Sequence, residues 1–102
     1  MPTFIYILQL KSPYEQEASW TDDTRATLGR HWNYLVELHA KNVMQVVGRT
    51  EVPIDNPDNR GIAIFTAENE GAAKLIMDND PCIIEGVMEG KLFPFNFALG
   101  AR

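Results

Sequence analysis

The sequence is short of positive charge, of histidine and of cysteine. Nine lysines and arginines stand against fourteen aspartates and glutamates, a net charge of −5 over 102 residues. Such a chain offers little to a polyanion, so the expectation is no nucleic-acid partner and no adsorption to an anionic membrane. The single cysteine, Cys82, cannot form an internal disulfide. The only two histidines are His31 and His39. On one helix, at ~1.5 Å of rise per residue, they lie roughly 12 Å apart, too far to share a metal ion. No metal site is expected.

Long hydrophobic runs are also missing. Nothing approaches the ~20 apolar residues of a membrane span. The start, Met1-Pro2-Thr3, lacks the basic residues of a signal peptide, and a cytoplasmic protein is the expectation. No glycine-rich phosphate loop is present, since Gly86 and Gly90 are isolated. With no cofactor fingerprint, none is expected.

What is present is ordinary globular material. Hydrophobic residues make up 45% and charged residues 23%, which excludes disorder and rod-like repeats. The chain has room for one domain, residues 1–102, and one core. Phe4 to Leu10 reads as a strand, β-branched and aromatic, with apolar residues on both faces: Phe4, Tyr6 and Leu8 on one, Ile5 and Ile7 on the other. Thr21 is a good N-cap, followed by Asp22 and Asp23. The helix it opens runs to about Lys41, with Leu28, Trp32, Leu35, Leu38 and His39 at inward spacing. Asn42 can take the left-handed conformation that ends it.

Val43–Val47 reads as a second strand, broken by Gly48, and Gly61–Thr66 as a third. Between them, Glu51–Arg60 is a loop rich in proline and Asx residues. Thr66 is placed to cap a second helix, Ala67 to about Asn79, with Ala72, Leu75 and Ile76 inward. Pro81 stops that helix. Leu92–Ala98 reads as the fourth strand, with Phe93, Phe95 and Phe97 on one side.

The order β-α-β-β-α-β, with right-handed crossovers, predicts an α+β, ferredoxin-like fold: a four-stranded antiparallel sheet with two helices on one face. Pro94 fits a last strand at a sheet edge. Two helices cover only one face. The apolar residues of the first strand's other face predict a homodimer that packs sheet against sheet.

Few residues suggest chemistry. His31 falls on the inward helix face, where it is either a hydrogen-bonded core histidine or an acid–base group in a cleft. Asp80-Pro81 reads as turn punctuation, with Asp78 a solvated carboxylate. Cys82 reads as a small buried hydrophobe, because Asp80 beside it disfavours a thiolate. Arg30, Arg49 and Arg60 lie near loops; Arg49 and Arg60 are candidates to hold a substrate carboxylate. Tyr14 and Trp20 give the first loop either a flap or plain packing.

These residues, taken together, resemble a known family. His31 within the first helix, Gly48 and Gly61 at the ends of the second and third strands, the run Asp80-Pro-Cys-Ile-Ile-Glu-Gly86 and the closing Phe93-Pro-Phe95 are similar to the YCII-related (YciI-like) proteins. The resemblance spans nearly the whole chain. It implies a ferredoxin-like fold, a dimer of the dimeric α/β-barrel kind, and an active site of His31 and Asp80. Relatives of a muconolactone dehalogenase belong to that family. The resemblance therefore implies lyase, dehalogenase or isomerase chemistry on a small organic acid or lactone. A non-catalytic dimeric module that binds a metabolite or regulates a partner is the alternative, and a haem-binding or oxygenase-like role a third. The chain departs from the family at Cys82, where Phe is usual, at Glu85, where a small residue is usual, and at Arg49, where Pro is frequent.

Overall fold

The structure is a computed structural model that describes residues 1–100. Eight residues, Thr3–Leu10, form strand β1. Helix α1 is Asp22–Ala40, β2 is Met44–Arg49 and β3 is Gly61–Thr66. Helix α2 is Glu70–Asp78, α3 is Pro81–Ile84 and β4 is Met88–Pro94. The sheet order is β2-β3-β1-β4, every neighbouring pair antiparallel. This is the ferredoxin-like α+β arrangement.

The register explains the core. Tyr6 lies opposite Ala63 on β3 and Leu92 on β4, and Phe4 opposite Phe65. Residues directly opposite share a face. Phe4, Tyr6, Leu8, Ala63 and Phe65 therefore point the same way. Leu35 of α1 and Ala73 and Met77 of α2 join them in one buried cluster. Tyr6 meets Phe65 edge-on, with ring centroids 5.6 Å apart.

Several expectations need correction. Among the described residues the helical elements are three α-helices and a 3-10 turn rather than two helices. They are not all on one face of the sheet, and the turn at Glu17–Ser19 buries no residue. Helix α1 begins where its cap predicts, with reciprocal hydrogen bonds between Thr21 and Thr24, and Asn42 takes φ 62° beyond its end. Its inward face, however, is rotated. Thr24, Thr27 and Leu35 are the buried residues, while Trp32 and His39 are exposed. Helix α2 starts later than predicted, because Asn69 caps it by accepting from the Ala72 N–H. Of the residues expected inward, Ala72 and Ile76 pack partly buried against the core, Leu75 is exposed, and Ala73 and Met77 are the buried ones.

Gly48 does not break β2, which runs through it to Arg49 and carries a bulge between Met44 and Val46 instead. Strand β4 comes earlier than read. It ends at Pro94, so Phe95 and Phe97 lie beyond it. The edge position expected of the last strand holds.

Candidate functional site

Pro81 does more than stop α2: it starts α3. A proline disfavours helical geometry in the residue before it, and Asp80 is accordingly extended, at φ −64° and ψ 126°. Proline is also well suited to the first position of a helix, where no N–H partner is needed. Asp80 is thus the N-cap, and its Oδ1 accepts from the Cys82 N–H at 3.0 Å. The short helix closes at Gly86, whose φ of 72° favours a residue without a Cβ. The Asp-Pro…Gly segment is one capped turn that holds a carboxylate still.

That carboxylate has no exposed surface. Its Oδ2 accepts from the Tyr6 hydroxyl at 2.8 Å. The Nδ1 of His31 lies 2.7 Å from Oδ1, bringing together the two residues expected to act as a pair. An ionised carboxylate only accepts, so Nδ1 carries the hydrogen between them and Nε2 is left as the free ring nitrogen. Asp80 is therefore held by three elements: Tyr6 from β1, His31 from α1 and the backbone of α3. Buried charges persist when paired and hydrogen-bonded in this way.

The neighbours register that charge. Burial, and then Asp80, push the Tyr6 phenol far above its ordinary range. The same two causes, in the same order, raise Tyr34 to about 12, with a further push from Glu37. Burial and Asp80 also push the Cys82 thiol up to about 12, against a small opposing pull from Arg30. Cys82 is fully buried, as read from the sequence. It sits in the first turn of α3. His31, Asp80 and Cys82 place ligand-type atoms within 4.8 Å of one another. Spacing along the helix pairs only His31 with His39, and this metal-capable group arises from the fold instead. Its carboxylate is already engaged by hydrogen bonds from Tyr6 and Cys82.

His31 lines a cavity of about 300 Å³. Leu8, Leu35, Ala63 and Met88 make apolar wall, while Arg49, Asn59 and Trp32 stand around it. Arg49 was expected to meet a ligand carboxylate and lines this space. It enters no ion pair with a described residue. Arg60 is placed differently. Its guanidinium bonds the carbonyls of Pro57 and Asn59 within its own loop. Asp78 pairs with Lys74 at 2.6 Å. Trp20 donates to the Tyr14 carbonyl at 2.8 Å, so these two aromatics staple the first loop together.

Tyr6, Trp32 and Asn59 were missed as site residues. A tyrosine between Phe4 and Leu8 on a core face needs a partner for its hydroxyl, and that was the available signal for Tyr6. Trp32 was assigned to the core by helical spacing alone.

The site is thus a buried, fully bonded carboxylate that orients an imidazole at the wall of a largely apolar cavity. The arrangement can take a proton at Nε2 and return it. No protein with a curated function matches the chain by sequence. Among solved structures, the chain is similar to 5-chloro-2-hydroxyhydroquinone dehydrochlorinase (TftG) from Burkholderia phenoliruptrix AC1100, in complex with 2,5-dihydroxybenzoquinone. The likeness has a TM-score of 0.66 and covers 92% of this chain and 93% of that one, at 18% identity. At that identity it is a likeness of fold. The profile of the YCII-related domain matches residues 4–96, and the chain belongs to the YCII-related family.

Proposed function

We propose that the protein is a small-molecule enzyme in which His31 is the general acid–base and Asp80 orients it. The observation that carries this reading is the 2.7 Å contact between His31 Nδ1 and the fully buried Asp80, on a ring that also lines a cavity. Loss of hydrogen halide from a halogenated organic acid or phenol suits such a site. Nε2 takes the proton, the electrons left behind form a double bond, and halide departs with its bonding pair. Isomerisation of a lactone would use the same nitrogen to remove a proton and deliver it elsewhere. Arg49 meets the substrate's negative charge, and the apolar wall keeps water away. The dehydrochlorinase activity named for the structural neighbour supports the elimination reading.

The second part of the proposal is a homodimer. The sheet face away from the core carries Ile5, Ile7 and Ile62 half-buried and Phe93 exposed. A second copy would cover it about a two-fold axis. Light scattering at the monomer mass would reject this part. The alternative, a non-catalytic metabolite-binding module, uses the same cavity and is favoured only by its apolar lining. Arg60 has no part in either reading, since its own loop holds its guanidinium.

The test is chloride release from chlorinated hydroxyquinols and chlorinated lactones, followed with and without His31. His31→Ala should lower release by about 10²–10⁴-fold, and the variant should stay folded. Release at the wild-type rate from the variant would end the catalytic reading. Ligand binding without turnover on any member of the set would favour the module.

A further inference from the structure

The His31 cavity does not end at Trp32. A second hollow of about 470 Å³ lies beyond it between α1 and β2, and the two share Trp32, Leu35 and Val47 as common wall. The hollows differ in chemistry. His31, Arg49 and Asn59 belong to the first alone, while the second is bordered by Val36 and Val46 and ends near His39. Trp32, Val36, Val46 and Val47 are all substantially exposed, Trp32 at 60%. Together they form a contiguous apolar patch beside a polar site, where scattered exposed hydrophobics would need no explanation.

Gln45 is an independent sign. The bulge in β2 passes from Met44 to Val46, so Gln45 has no cross-strand partner. It lines the second hollow, and its Oε1 is buried without a hydrogen-bond partner among the described residues. Bulges beside functional sites commonly re-aim one side chain. A buried amide with no partner in the chain is open to a hydrogen bond from a ligand or from water.

We propose that the second hollow is a binding chamber for the apolar body of the ligand. The ligand class is then an organic acid with an extended hydrocarbon body. Its anionic head lies at Arg49 and His31, its body runs under Trp32 over Val36 and Val46, and Gln45 receives a hydroxyl at the far end. The helix rise between His31 and His39, roughly 12 Å, sets the scale of that ligand. A single-ring substrate fills the first chamber only. This rests on the proposed use of the His31 cavity as the ligand site.

The test is a titration of the intact protein with acetate, butyrate, hexanoate and octanoate, and with ω-hydroxyoctanoate, read by tryptophan fluorescence. Trp32→Phe separates the Trp32 signal from that of Trp20. Affinity should rise along the series, with an upper bound of about fourfold per added methylene, and the ω-hydroxy acid should bind more tightly than octanoate. Val36→Glu puts a charge in the chamber at a half-exposed helix position and should flatten the series. If short acids bind and affinity is flat with length, the chamber is not used, and the proposed site stands without it. If no acid of any length binds, the use of the His31 cavity falls and the inference falls with it. If Val36→Glu lowers the oligomer mass and leaves the series unchanged, the hollow is an interface between copies and the proposal is overturned.

Discussion

The two ends of the His31 region are built on opposite principles. At the Asp80 end each group is bonded: the buried Tyr6 and Cys82 N–H and the half-buried His31 all engage one carboxylate. At the Trp32 end the side chains are exposed, and Arg49 has no ionic partner among the described residues. The contrast separates two tasks. A proton-transfer group needs its orientation fixed before the ligand arrives. A ligand-holding wall needs free surface and unmatched polarity until it does.

The largest effect should come from breaking the bonded end. Asp80→Ala leaves the Tyr6 hydroxyl and the Cys82 N–H buried without an acceptor and uncaps α3. Each lost partner costs about 1–3 kcal/mol, so urea denaturation should show a loss of about 3–5 kcal/mol. At the open end, Arg49→Ala should stay within about 0.5 kcal/mol of wild type. Equal losses at the two ends would dissolve the comparison.

Tyr6→Phe is a milder break. It removes one hydrogen bond to a charged acceptor and keeps the ring that packs on Phe65. The expected cost is about 1.5–3 kcal/mol by the same denaturation assay. An unchanged midpoint would mean that the hydroxyl contributes nothing to holding Asp80.

Alkaline pH sharpens the contrast without mutation. Cys82 and Tyr34 are each raised to about 12 in the fold, above their unfolded values near 9 and 10. A raised pKa in the folded state favours the protonated form there. The stability it gives is complete below the unfolded pKa and is lost as pH climbs toward the folded one. Stability should therefore fall between about pH 9 and pH 12, with Cys82 contributing about 1 kcal/mol of loss by pH 10. Cys82→Ala should flatten the first part of that fall. Native Cys82 should also resist alkylation at pH 8, where labelling as fast as in urea would show an open thiol.

The smallest effect on stability belongs to Trp32→Ala, within about 0.5 kcal/mol for a side chain already in solvent. Its consequence should be seen in ligand affinity instead. A loss of several kcal/mol would make Trp32 a core residue, as helical spacing had suggested.

The fold was largely legible because its signals are local. Thr21 and Asn42 mark the ends of α1, a β-branched and aromatic run marks β1, and the order of elements leaves few topologies. The inward face of α1 was not legible. Spacing places Trp32 and His39 on the apolar stripe, whereas both are exposed in the fold and Thr24 and Thr27 are buried in their stead. The start of α2 was misplaced because Thr66 and Asn69 are both acceptable caps, and only tertiary pairing keeps Thr66 in β3. Of the site, His31 and Asp80 were found through the family resemblance. Tyr6 was not found: its place on the core face calls for a hydroxyl partner, but that partner lies 74 positions away and has no local signature. Wide separation in sequence also hid the grouping of His31 with Cys82.

The central claim is that Asp80, held by Tyr6 and the backbone of α3, fixes His31 with Nε2 free for a ligand. Long-range proton–nitrogen correlation spectra of the neutral His31 ring test it most directly. The account predicts a protonated Nδ1 and an unprotonated Nε2, with that preference lost in Asp80→Ala. A ring carrying its hydrogen on Nε2 in the wild-type protein would contradict it.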